Sequence, residues 1–123
     1  MFDHVGLNVK DYPASRAFYE QALEPLGWHV VMEFDEWKAA GFGTADKPEF
    51  WFSQREPYGT GTHVAFVAKD HATVDAFHAA ALAAGGRDNG APGIREHYHP
   101  TYYGAFVFDP DGNNVEAVCH TPV

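Results

Sequence analysis

Cysteine is almost absent from this chain of 123 residues: Cys119 is the only one. A single thiol makes no intramolecular disulfide, which excludes a small disulfide-stapled scaffold and fits a reducing compartment. Cys119 falls in an apolar strand-like pattern and reads as a buried structural thiol. Basic side chains are also few, 8 Lys and Arg against 17 Asp and Glu, for a formal charge of -9. So acidic a surface repels phosphate backbones and anionic bilayers, which argues against nucleic acid and membranes as partners. It leaves room for a small anionic ligand, since one Arg binds one carboxylate. No stretch approaches the ~20 apolar residues of a membrane span. The start, Met1-Phe2-Asp3-His4-Val5, has no basic region and no long apolar run, so no secretory leader is expected and the expected location is cytoplasmic. What is present is globular. With 46% apolar and 15% aromatic residues, the chain suits one ordinary domain with its own core.

The chain repeats itself. Set over each other without gaps, HVGLNVKDYPASRAFYEQALEPLG from His4 and HVAFVAKDHATVDAFHAAALAAGG from His63 share residues along their whole length. His4 matches His63, Lys10-Asp11 matches Lys69-Asp70, and Phe18 matches Phe77. Leu23 matches Leu82, and Gly27 matches Gly86. Repetition of strand, helix start and terminal Gly together points to two copies of one structural unit. Module one spans about 1–58 and module two about 59–123 of a single domain.

Each module opens on a strand. Val5, Leu7 and Val9 alternate with His4, Gly6 and Asn8, which is period two. Asp11 and Asp70 offer helix caps, and Pro13 suits a first helical turn. Three short strands are expected after each helix: Trp28–Phe34, Lys38–Phe42 and Phe50–Gln54, then Arg87–Asn89, Tyr103–Phe108 and Asn114–Cys119. Arg95–His99 fits strand or loop. The reading is α+β: βαβββ twice, with helices on one face of curled sheets.

Polar residues recur at equivalent places. His4 and His63 stand opposite the apolar faces of the two opening strands. In the last strand Glu116, Val118 and His120 share one face, opposite Val115, Ala117 and Cys119. If the modules pair by a pseudo-twofold, the opening strands become neighbours and His4, His63 and Glu116 face one cavity. Two imidazoles and one carboxylate hold a divalent ion with positions open for water or substrate. Aligned on Asp46 and Asp111, Trp51 stands where module two has Glu116. A second cluster, Glu96 to Tyr103, supplies His97, His99, Tyr102 and Tyr103 as proton donors or acceptors beside such an ion. Phe50, Trp51 and Phe52 are expected to form an aromatic wall, and Arg95 a carboxylate receptor. His29, His71 and His78 read as surface residues.

The motifs DHVGLNVKD, THVAFVAKD and DPDGNNVEAV resemble those of the glyoxalase/bleomycin-resistance/extradiol-dioxygenase superfamily, the vicinal-oxygen-chelate proteins. The resemblance covers essentially the whole chain, and DPDGNxxE is its most specific part. It implies a cup-shaped curled mixed sheet with helices outside, built around one divalent metal, with His4, His63 and Glu116 as ligands. Members are often homodimers, sometimes with sites shared between subunits. The implied activity is lyase, isomerase or dioxygenase chemistry on a small oxygen-rich substrate, with Fe, Mn, Ni or Zn as the ion. Trp51 departs from the Glu or Gln that glyoxalase I enzymes carry there, which points away from that activity. The alternative role is a non-catalytic small-molecule or drug-binding protein of the bleomycin-resistance type.

Overall fold

The structure, a computed structural model, describes residues 1–123. Module one runs β1 (Val5–Val9), α1 (Tyr12–Ala22), β2 (His29–Phe34), β3 (Ala39–Gly43) and β4 (Phe50–Gln54). Module two runs β5 (His63–Val67), α2 (His71–Ala83), β6 (Arg87–Ile94), β7 (Tyr103–Phe108) and β8 (Asn114–Cys119). Short 3-10 turns at Glu24–Leu26 and Asp35–Trp37 link the helix and strands of module one. The strand orders are β1-β4-β3-β2 and β5-β8-β7-β6, two separate four-stranded sheets. In each, the opening strand pairs in parallel with the last and the other pairs are antiparallel. The fold is thus α+β with two βαβββ modules, each a mixed sheet with one helix. No helix is long and apolar enough to cross a membrane.

Local chemistry sets the helix ends. The Asp11 carboxylate accepts from the Ala14 N–H at 3.2 Å, with Pro13 in the first turn. Asp70 accepts from the Thr73 N–H at 2.8 Å and from its hydroxyl at 2.6 Å. These Thr73 bonds, the hydroxyl first, hold the Asp70 carboxyl below its ordinary range. A carboxyl depressed in the folded state adds stability that is complete above the unfolded value and is lost as pH falls through the folded one. Asp70→Ala is therefore expected to lower stability at neutral pH and to flatten its acid limb. Urea midpoints measured from neutral to acid pH check this, and parallel curves for the two proteins count against it.

The two matched glycines do different work. Gly27 takes φ +83° with open space around it, so it serves as a left-handed stop. In module two Gly85 takes that role at φ +98°. Gly86 instead permits close packing: a Cβ there would meet Val107 Cγ1 at 2.5 Å, Phe18 Cε1 at 2.7 Å and the Ala81 carbonyl at 2.9 Å. Phe18 belongs to α1, so this contact joins the modules. Gly86→Ala is expected to cost about 1–3 kcal/mol by overpacking, read as a lower urea midpoint at unchanged m. An unchanged midpoint would show that the contact yields freely.

One core serves both modules. Phe18, Tyr19, Leu23, Phe42, Phe50 and Phe52 are buried together with Phe66, Val74, Phe77 and Val107. Phe66 of β5 meets Trp28 and Phe50 edge-on at 5.0 and 5.3 Å. The two helices also pack on each other. Polar links reinforce the seam. The Tyr19 hydroxyl donates to the buried Asp109 carboxylate, which also accepts from the Asp111 and Asn113 N–H groups. The Lys10 N–H donates to Asp111 at 3.2 Å. The Asp-Pro-Asp-Gly-Asn turn is therefore a bracket that holds module two against α1. Strand β6 is longer than the Arg87–Asn89 expected from sequence. It reaches Ile94 through two irregularities in its pairing with β7, on either side of Gly90.

Candidate metal centre

Two strands of module two bring an imidazole to a carboxylate. Strands β5 and β8 lie parallel with His63 beside Asn114 and Ala65 beside Glu116. From this register His63 Nε2 reaches Glu116 Oε1 at 2.8 Å. Strand alternation settles which way β8 faces. Val115, Ala117 and Cys119 enter the core, and Cys119 Sγ lies 2.9 Å from Thr121 Oγ1. Glu116 lies on the opposite face, yet its side chain is only 1% exposed, whereas that of His63 is 51% exposed.

Glu116 Oε2 accepts from the Tyr102 hydroxyl. Gly104 makes room for this bond, since a Cβ there would come within 3.2 Å of the Tyr102 ring and 3.3 Å of Glu116 Oε2. Burial, then the neighbouring Glu116 carboxylate, push the Tyr102 phenol well above its ordinary range, so it stays a donor at neutral pH. His120 stands edge-on to Tyr102 at 5.3 Å, consistent with its place on the face of Glu116. His63, His97, Tyr98, Tyr102, Phe106 and Glu116 line a cavity of about 530 Å³.

The sequence-derived candidates divide. His63, Glu116, Tyr102 and His97 come together around this cavity. His4 does not join them: its Nδ1 pairs with Asp3 Oδ1 at 2.8 Å, and it lines one hollow within module one and another between the modules, bounded by Val64 to Val67 of β5. No group of three or more His, Cys, Asp or Glu is assembled within the chain. The reason is topological. β1 and β5 are edge strands of separate sheets, so their histidines face different hollows.

Tyr103 is corrected to the helix side, where it donates to Asp75 at 2.6 Å and stacks on His71 at 3.8 Å. The Asp75 bond, then burial, raise its phenol to about 12. His99 turns to Thr101 at 3.0 Å and lies outside the cavity. Arg95 is not a free carboxylate receptor. It donates to the Gly93 and Ala91 carbonyls at 2.9 and 2.8 Å and lies over the Phe106 ring. Phe50 and Phe52 turn their rings into the core, because alternation along β4 sends only Trp51 and Ser53 to the other face, yet each still borders a hollow, Phe52 the same one as Trp51. His71 and His78 are not plain surface residues either, as His78 pairs with Asp88 at 2.9 Å. Phe106 and Tyr98 are the lining residues the sequence reading missed. Phe106 was findable, because it lies directly beside Glu116 in the β7–β8 register.

Module one repeats the geometry without the chemistry. In the parallel β1–β4 pair, Gly6 lies beside Trp51 as Ala65 lies beside Glu116. Trp51 thus holds the structural position of the carboxylate, as the alignment on Asp46 and Asp111 anticipates.

Comparison with known proteins follows the same lines. The model of the Glyoxalase/Bleomycin resistance protein/Dioxygenase superfamily matches residues 1–117. A glyoxalase/bleomycin resistance protein from Albidiferax ferrireducens T118 is 29% identical over 97% of this chain and 98% of its own, with a TM-score of 0.84. The E144Q glyoxalase I mutant from Zea mays is 25% identical over 97% of this chain and 46% of its own, with a TM-score of 0.73. Lactoylglutathione lyase from Agrobacterium tumefaciens, 21% identical with a TM-score of 0.67, shares the fold over 97% of this chain and 92% of its own. No curated protein matches the sequence. With the family match spanning nearly the whole chain and both modules present in the fold, the chain belongs to the glyoxalase/bleomycin resistance protein/dioxygenase superfamily.

Proposed function

We propose that the protein is a divalent-metal-dependent enzyme acting on a small oxygen-rich organic substrate. The ion would be held by His63 and Glu116 of one chain and by His4 of a second copy. The observation that carries this reading is Glu116: a buried carboxylate that meets no Lys or Arg, set against a half-open imidazole. Buried charges are otherwise paired with cations or bound to metals. One carboxylate oxygen and one imidazole nitrogen suit Fe, Mn, Ni or Zn, so the donor set fits the ion. Bound there, the ion supplies a Lewis acid that polarises adjacent oxygens of the substrate. Tyr102 keeps Glu116 in one orientation by its hydrogen bond, as groups behind a ligand commonly do. His97 stands at the cavity mouth, where it can carry a proton between substrate and solvent. The finer choice among lyase, isomerase and dioxygenase chemistry follows the ion.

The second reading is a small-molecule or drug-binding protein without turnover. It is favoured by one observation, that a single chain assembles only two of the three donors. Metal analysis of protein purified without chelator separates the two, using the wild type and His63→Ala. Stoichiometric metal that disappears in the variant supports the enzyme. No metal in the wild type, even after reconstitution with each of the four ions, leaves the binding protein.

A further inference from the structure

The face of the module one sheet turned away from α1 carries side chains that the metal reading leaves unused. Trp51 reaches this face by alternation along β4. Its indole rests against Gly41 and Pro48: a Cβ at Gly41 would meet Trp51 Cε2 and Cζ2 and Pro48 Cβ, all at 2.8 Å. A glycine in the middle of β3 is therefore what lets the indole settle there. Phe34 stacks on Trp51 with planes 9° apart and centroids at 6.2 Å, and Trp37 packs on Phe34 at 5.2 Å. The 3-10 turn Asp35–Trp37 holds Trp37 outward, 66% exposed. Exposed aromatic surface that continues a stacked group is a recognition feature rather than a core element.

A cation stands beside it. Arg55 lines a hollow of about 470 Å³ together with His4, Asn8, Trp51 and Ser53. It also lines the adjoining hollow with Trp37. Arg55 forms no ion pair, although acidic side chains outnumber basic ones 17 to 8. Of the 8 basic side chains only Arg16 and Lys47 are taken by carboxylates, so what sets Arg55 apart is its place beside Trp51 and Trp37.

We propose that this face binds a planar aromatic carboxylate. The ring lies against Trp51, with Trp37 at the rim of the adjoining hollow, and the carboxylate meets the Arg55 fork, which borders both. A flat ring matches the indole faces, and one guanidinium matches one carboxylate bidentately. A phosphate dianion would need more positive charge than this acidic chain offers here. The proposal deepens the enzyme reading by naming a substrate class for the hollow that His4 helps to line. It rests on that reading for turnover, but not for binding.

The test is calorimetric titration of chelator-treated protein with 2-naphthoate, 2-naphthol and cyclohexanecarboxylate at neutral pH. We expect 2-naphthoate to bind about tenfold more tightly than either control, because only it uses both ring and charge. Arg55→Gln is expected to abolish the preference over 2-naphthol while leaving 2-naphthol binding unchanged. Trp37→Ser, at an exposed position that spares the fold, is expected to weaken both aromatic ligands. Equal affinities for 2-naphthoate and 2-naphthol, a preference that survives in Arg55→Gln, or no 2-naphthoate binding would each overturn the proposal. Metal content of the untreated wild type is read in parallel. Metal without naphthoate binding sinks this proposal alone, and naphthoate binding without metal sinks only the enzyme reading.

Discussion

Chains carrying His4→Ala and chains carrying Glu116→Gln, each unable to hold metal, are expected to recover about a quarter of the wild-type sites when mixed equally and allowed to exchange. The expectation follows from where the donors lie. His63 and Glu116 meet within one chain, whereas His4 faces a different hollow. A twofold pair that sets module one of one copy over module two of the other would complete two sites, each with His4 from one chain. In a mixed pair, one site then carries both lesions and the other carries none. Random exchange makes about half of all pairs mixed, and half the sites in those are intact. Metal content and, once a substrate is known, activity should rise together on mixing. Absence of recovery, with exchange shown by a tagged chain, would rule out the shared site. Full metal retention by His4→Ala alone would remove His4 from the ligand set.

Glu116→Gln should also make the metal-free protein more stable than the wild type. Without an ion, the folded chain confines a carboxylate with an imidazole and a phenol as its side-chain partners. A neutral group of the same shape is spared the desolvation cost of a buried charge, which is on the order of several kcal/mol per ion. Glutamine retains an acceptor for Tyr102 and a group that can face His63. In the presence of a binding ion the order should reverse, because only the wild type gains stability by binding. Thermal midpoints of both proteins, with chelator and with each ion, would show a crossing of the two. A variant that is less stable than the wild type in chelator would mean that Glu116 is a structural acid held by its hydrogen bonds.

The architecture was legible because it repeats. Each opening strand, helix cap and terminal Gly occurs twice, so a weak signal in one module was reinforced by the other. Even the replacement of a carboxylate by Trp51 was visible, since counting from Asp46 and Asp111 lands on positions that the strand registers equate. The errors have physical causes. Of the expected aromatic wall only Trp51 turns its ring to the open face, because alternation along β4 sends the rings of Phe50 and Phe52 into the core with Leu7 and Val9. Tyr102 and Tyr103 are adjacent, so their opposite directions depend on the parity of β7, which starts at Tyr103. Arg95 is held by carbonyls of the preceding strand β6 and by Phe106, contacts that no spacing rule reveals. The length of β6 was hidden by Gly90, Pro92 and Gly93, which read as turn residues but lie within a bulged strand. His4 could not be placed relative to His63 by any local pattern, because the two opening strands lie in separate sheets whose docking no local pattern describes.

The bracket between the modules also constrains how the chain reaches this fold. Tyr19 and Asp109 are 90 residues apart, and Lys10 and Asp111 are 101 apart. During synthesis α1 emerges long before its partners in module two exist, with the Tyr19 hydroxyl still unmatched. The first half must wait, partly open, until nearly the last strand has been made. Pairings so remote in sequence slow folding, because loop closure comes before its reward. A ribosome-stalled chain ending before Asp109 should therefore be readily cleaved by protease in its first half, and one extended past Cys119 should resist.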